Sequence, residues 1–250
     1  MPLVDPVTMS TAARQTTNTK DRSADAATPL RPVILFGSGI ARATDGLELL
    51  LLAGLFRIQF GKLVEDPVPT LQNGLLVFAS LQTAWALLCC PPAGSQGKKR
   101  TANPASSAAL SLVLTALIVP FLHIVFVLFG APFLTHQLET LLCSATLAIL
   151  SVFPVFYAHG VDAGAWKAVC GFSAPLDETV GGFWGGIVGA WLGAVPIPLD
   201  WDREWQKWPV TILCGLVGGY IIGRLIGGLA TLDAKKGASG AIAKSNVKGE

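Results

Sequence analysis

The residues of this chain that could do chemistry are few: His123, His136, His159, Asp162, Asp177 and Glu178. General acid–base catalysis or metal binding needs such groups to converge at hydrogen-bond or ligand spacing. His159 and Asp162 lie three apart and allow two readings, an acid and base pair or a contact that closes a helix end. His123 stands alone in an apolar stretch, three residues after Pro120, and reads as a hydrogen bonder in helix packing. Asp177 and Glu178 precede an apolar run, where acidic side chains complement a helix N-terminus. No catalytic or metal-ligating constellation emerges, so the sequence predicts no catalytic residue, metal or cofactor.

Arg42, Asp45 and Glu48 recur at threefold spacing within an otherwise apolar run. That spacing suits mutual neutralisation on one helix face, or equally a polar path or partner contact inside a membrane. The five cysteines, Cys89, Cys90, Cys143, Cys170 and Cys214, lack metal-ligand spacing and an even disulfide framework. They read as buried thiols, with S-palmitoylation of Cys89 or Cys90 near a helix end as the alternative.

The elements that must carry these residues follow from composition. Hydrophobic residues make up 52% of the 250-residue chain and charged residues 14%, against roughly 25% charged in soluble domains, and the mean hydropathy is +0.56. A formal net charge of +2, without basic runs interleaved with aromatics, excludes nucleic acid as a partner. A bilayer core of about 30 Å requires about 20 apolar helical residues, because lipid offers the backbone no hydrogen-bond partners. Four stretches meet this without a charge: Leu71 to Cys90, Ala108 to Phe129, Thr140 to Ala158 and Val180 to Leu199. Pro209 to Leu232 is interrupted only by Arg224, expected to snorkel toward the headgroups. Val33 to Phe60, with its charges, is the sixth candidate. The predicted fold is all-α, a polytopic membrane protein of about six transmembrane helices over 32–232, with disordered cytoplasmic tails at 1–31 and 233–250.

Loop charge sets the expected orientation, since Lys and Arg concentrate on the cytoplasmic side. With six spans and the N-terminus inside, Arg14, Lys20, Arg22, Arg31, Lys98, Lys99, Arg100, Lys167, Lys235, Lys236, Lys244 and Lys248 face the cytoplasm, and only Lys62, Arg203 and Lys207 face out. The Gly-, Ser- and Pro-containing linker Pro91 to Ser107 reads as a flexible cytoplasmic loop. Its basic run is a topology signal or a contact for anionic lipid.

Glycines recur every fourth residue in the last two spans: Gly181, Gly185, Gly189 and Gly193, then Gly215, Gly219, Gly223 and Gly227, with Gly182 and Gly186 forming a second pair. Such faces let helix backbones approach closely, which predicts a glycine-faced C-terminal hairpin packed through Gly185, Gly189, Gly193, Gly215, Gly219 and Gly223. The joining segment carries Pro196, Pro198, Asp200, Trp201, Asp202, Arg203, Trp205 and Trp208. Prolines stiffen the helix exit, tryptophans anchor at headgroup level and Pro209 suits a first helical turn. The segment is therefore an interfacial turn or, given its acids and bases among tryptophans, a partner-binding surface.

Gly189-Ala190-Trp191-Leu192-Gly193-Ala194, running into Pro196-Ile197-Pro198-Leu199-Asp200-Trp201-Asp202-Arg203, resembles the PIG-F family of glycosylphosphatidylinositol (GPI) anchor biosynthesis. So do Asp66-Pro67-Val68, Phe129-Gly130-Ala131-Pro132 and Tyr157-Ala158-His159-Gly160-Val161-Asp162-Ala163, the likeness covering roughly residues 60 to 230. The resemblance implies a non-catalytic, multi-pass subunit of the endoplasmic-reticulum membrane. Such a subunit binds and stabilises the transferases that add ethanolamine phosphate to GPI mannoses, with membrane lipid, including a GPI precursor, as a further expected partner. Both termini would be cytoplasmic and the loop 196–208 lumenal. Two other functions stay open: a lipid transporter or flippase with a polar track through the first span, and a membrane-embedded phosphoethanolamine transferase using His159 and Asp162.

Overall fold

Proline and small polar residues punctuate the helices. α1 (Gly39–Glu65) gives way to α2 (Pro67–Cys89) at Asp66, whose amide still donates to the Lys62 carbonyl at 2.8 Å. Pro67 then opens α2, where a missing N–H costs nothing because the first turn has no acceptor for it. α3 (Pro104–Leu128) starts the same way, with Pro104 at its first position and Asn103 Oδ1 accepting from the Ala105 amide at 3.1 Å. α4 (Gln137–His159) crosses a π-helical turn at Ala148–Val152, directly before Pro154. A proline there breaks the α-type ladder, and the wider turn accommodates the break. α5 (Ala163–Cys170) is short, α6 (Glu178–Gly193) is capped by Asp177, and α7 (Val210–Val247) follows a single 3₁₀ turn at Glu204–Gln206.

The computed structural model describes residues 30–37, 39–95, 103–199 and 201–247, with side chains through residue 234. The expected N-terminal tail through residue 29, the basic run Lys98, Lys99 and Arg100, and Asp200 lie outside the described residues. Pro32–Glu250 forms one unit, and every regular element described in it is helical.

Among the described residues, four helices are long and apolar enough to cross a membrane: α2, α3, α4 and the Val210–Ala234 portion of α7. α1 carries too much charge for that criterion, and α6, at 16 residues, is too short. The boundaries differ from expectation at three places. Residues 33–37 are not helical: Val33 and Phe36 give their amides to Asp177 Oδ2 (2.7 Å) and the Cys89 carbonyl (2.9 Å). α6 stops at Gly193, where turns lead into Pro196, not at Leu199. α7 continues as helix through Val247, past the expected end at Leu232.

The core joins α1, α2, α4 and α7 around Leu52, Phe78, Leu150, Leu213, Leu216 and Tyr220. A second cluster packs Val33 and Ala41 against Trp85 and Cys89 of α2, Cys90 just past its end, and Phe153 and Tyr157 of α4. The most extensive helix contact is α6 against α7. A Cβ built on Gly181, Gly185 or Gly189 would collide with the carbonyl oxygen of Gly223, Gly219 or Gly215 respectively, and the reverse is true from α7. Gly193 meets Thr211 in the same way. Backbones this close gain dispersion contacts that larger side chains would exclude, which matters where lipid removes the hydrophobic drive between helices. Gly186 turns instead toward Ser151 of α4.

Candidate functional site

Two features qualify, a surface loop and a buried polar cluster. The loop between α6 and α7 is held by one side chain. Gln206 Nε2 donates to the Pro196 carbonyl at 2.8 Å and to the Leu199 carbonyl, and Gln206 Oε1 accepts from the Arg203 amide at 3.1 Å. The amide thus ties the entry of the loop to its exit. Trp208 is fixed to the bundle: its indole N–H donates to Thr140 Oγ1 at 3.0 Å and its ring meets Phe126 edge-on at 6.4 Å. Trp201 is 53% exposed and lies 5.8 Å, ring to ring, from half-buried Trp205. Pro198, Asp202 and Arg203 are exposed, Pro196 is half-buried, and Lys207 pairs with Glu204 on the surface. Asp202 has φ +48°, a left-handed conformation that acidic residues tolerate better than most. The structure therefore brings the expected partner-binding residues Trp201, Asp202, Arg203 and Trp205 together on one stapled loop and places Trp208 in a packing role.

The second feature was not assembled by sequence reasoning. Arg224 of α7 is 2% exposed and ion-paired to both Asp45 and Glu48 of α1. Its guanidinium lies 4.1 Å above the Trp85 ring of α2 and donates to the Tyr220 hydroxyl at 3.0 Å. Trp85 Nε1 donates to Asp45 Oδ1 at 2.8 Å, and Gln82 Nε2 reaches both Tyr220 Oη at 2.6 Å and Glu48 Oε1 at 3.2 Å. A Cβ on Gly182 of α6 would meet the Tyr220 ring at 2.8 Å and Arg224 Cγ at 2.9 Å, so this glycine makes room for the arginine stem. Arg224 does not snorkel, because its counter-charges lie inside the bundle. Nor do Asp45 and Glu48 neutralise Arg42, which is exposed; their cation comes from another helix. The available signals were an excess of acid in one span, a lone arginine in another, and helical spacing within Gln82 and Trp85 and within Tyr220 and Arg224.

The remaining candidates are local. Asp177 is buried and caps α6 through Oδ1, accepting from the Thr179 amide (2.9 Å), the Thr179 hydroxyl (2.7 Å) and the Val180 amide (3.0 Å). Asp162 caps α5 by accepting from the Gly164 amide at 2.9 Å, and no hydrogen bond joins it to His159, whose buried Nε2 has no partner among the described residues. The two are not assembled as an acid and base pair. His136 meets Glu139 at 3.0 Å on the surface. The buried Nδ1 of His123 has no hydrogen-bond partner among the described residues, where a packing hydrogen bond was expected. Cys89 and Cys90 are fully buried, which removes them as palmitoylation sites, whereas Cys170 is exposed.

Residues 48–228 match the GPI biosynthesis protein family Pig-F. The chain belongs to this family. The Pig-F match begins at Glu48 and takes in Gln82, Trp85, Tyr220 and Arg224 as well as the whole stapled loop. Among similar proteins, glycosylphosphatidylinositol anchor biosynthesis protein 11 of Neurospora crassa is 48% identical over 264 residues, covering 91% of this chain and 97% of the relative. The protein of that name from Aspergillus fumigatus is 35% identical, covering 78% of this chain and 82% of the relative. A human protein named GPI ethanolamine phosphate transferase, stabilizing subunit, is 38% identical over 112 residues, covering 42% of this chain and 49% of the relative. No solved structure matches the chain.

Proposed function

We propose that this Pig-F protein is a non-catalytic membrane subunit that binds and stabilises ethanolamine-phosphate transferases of GPI-anchor biosynthesis in the endoplasmic-reticulum membrane. The likeness to a human protein named as a stabilizing subunit of such a transferase carries this reading. The candidate site is compatible with it: a loop whose exposed Trp201, Asp202 and Arg203 are held in place by Gln206 has the aromatic and charged chemistry of a protein contact. Under this reading α1 and α6 complete six spans, both termini are cytoplasmic and the loop 196–208 is lumenal. The pairing of Asp45 and Glu48 with Arg224 supports α1 as a span, since it internalises charge that would otherwise face lipid. The excess of Lys and Arg on the proposed cytoplasmic side supports the orientation.

The test is affinity purification of the intact protein from membranes, with identification of what comes with it. A GPI ethanolamine-phosphate transferase should co-purify, and Asp202→Ala combined with Arg203→Ala should weaken its recovery. Recovery unchanged by that pair would remove the loop as the contact. Transfer of ethanolamine phosphate by the purified protein alone would overturn the non-catalytic reading. Labelling of a cysteine placed in the loop from the cytosolic side of sealed microsomes would overturn the topology.

A further inference from the structure

The cluster around Arg224 contains one more carboxylate than it has cations. Asp45 and Glu48 of α1 both pair with this guanidinium. Cys89 of α2 and Tyr220 of α7 also face it, and neither brings a positive charge. An uncompensated charge inside a membrane helix bundle is expensive, and the usual relief is loss of the charge itself.

The hydrogen-bond inventory shows where that relief acts. The Tyr220 oxygen has two nitrogens within bonding distance, Gln82 Nε2 at 2.6 Å and Arg224 Nη1 at 3.0 Å. Both are donors, so the phenolic proton has no acceptor, while Gln82 Oε1, on a side chain 0% exposed, has no donor. The oxygen and nitrogen of an amide occupy equivalent positions, and the network decides between them. Turning the Gln82 amide over lets its oxygen accept the Tyr220 proton. That oxygen then stands 3.2 Å from Glu48 Oε1, at the place Nε2 occupies. Two acceptor oxygens at that separation need a hydrogen between them, and the glutamine oxygen has none.

We propose that Glu48 holds a proton on Oε1 and donates it to Gln82 Oε1, so that the contact of α1, α2 and α7 is built around a one-proton site. The proton comes from solution and forms an O–H bond on Glu48; nothing is oxidised or reduced. Asp45 remains the carboxylate, because its Oδ1 accepts from both Arg224 and Trp85 Nε1, the latter at 2.8 Å, and its side chain is 24% exposed against 3% for Glu48. The cluster is then neutral, with one cation facing one anion. The Tyr220 proton and the Gln82 carbonyl then both have partners, and the unpaired group is the amide nitrogen, whose two N–H donors take the outer position.

Infrared spectroscopy of the full-length purified protein at neutral pH tests this. A carbonyl stretch of a protonated carboxylic acid is expected, shifted when glutamate is isotope-labelled. Glu48→Gln keeps the shape and a donor, so it should abolish that band while leaving folded yield and thermal midpoint at wild-type values; Glu48→Ala should lose folded protein. Absence of the acid band, its insensitivity to glutamate labelling, its persistence in Glu48→Gln, or destabilisation by Glu48→Gln equal to that of Glu48→Ala would each overturn the proposal.

Discussion

Arg224 on α7 and Glu48 on α1 stand 176 positions apart in the chain and meet through a hydrogen bond between side chains that are 2% and 3% exposed. The first and last helices of the described bundle are therefore joined through charge, with Trp85 of α2 covering the guanidinium. Breaking a buried pair from one side leaves the other side uncompensated, which typically costs about 3–5 kcal/mol. Arg224→Met should accordingly reduce folded protein in detergent to a small fraction of wild type. Arg224→Lys should rescue only part of it, because an ammonium lacks the fork that reaches two carboxylates at once. Fluorescence-detected size exclusion after heating would measure both.

The glycine contact predicts a position-dependent response within one helix. Gly189→Leu with Gly219→Leu places side chains where carbonyl oxygens of the facing helix now sit, and should separate α6 from α7 and lower folded yield through overpacking. Gly218 lies next to Gly219, yet a Cβ there meets nothing. Gly218→Ala should therefore leave the thermal midpoint at or above the wild-type value, by up to about 1 kcal/mol of helix propensity. Equal behaviour of the two sites would contradict the packing.

Asp177 serves two elements at once, capping α6 and holding the Val33 amide. Asp177→Ala should cost roughly 1–2 kcal/mol for the cap and about 1–3 kcal/mol more for the stranded buried amide. Asp177→Asn keeps the capping oxygen but offers an NH₂ toward the Val33 N–H, so it should release the segment around Val33 while sparing much of the cap. Hydrogen exchange at Val33 and proteolysis before α1 would separate the two effects: both variants should expose the segment around Val33, and only the alanine should melt the first turn of α6.

Gln206 supports the loop without lying among its exposed aromatic and charged residues. Gln206→Ala removes the bonds to Pro196 and Leu199 and should make the loop protease-sensitive while changing bundle stability by no more than about 0.5 kcal/mol, the usual range for surface positions. If the loop is the partner contact, transferase recovery should fall with it. A rigid loop in Gln206→Ala would show that the prolines alone define its shape.

Much of this architecture is legible in order along the chain. Apolar runs near 20 residues located α2, α3, α4 and the membrane-competent part of α7, because lipid forces the backbone to satisfy itself within each helix. Asp177 before an apolar run announced a cap that the geometry supplies. The fourfold glycine spacing pointed to close backbone approach, which is where the glycines of α6 and α7 meet. The ends were less readable. Residues 33–37 are as apolar as the helix that follows, yet they are not helical, since the amides of Val33 and Phe36 are taken by Asp177 and Cys89, distant in sequence.

Composition, hydropathy and glycine spacing by themselves settled that this is an all-helical chain with membrane-competent helices and a glycine-rich pair at its C-terminal end. Those properties depend on near neighbours and on the solvent, both of which the chain order encodes. Which charge answers which was decided only in three dimensions: Asp45 and Glu48 turned from Arg42, three and six residues away, to Arg224 across the bundle, and His159 and Asp162 did not pair despite their spacing. Ion pairing in a low-dielectric interior rewards proximity in space and desolvation together, and neither can be read from separation along the sequence.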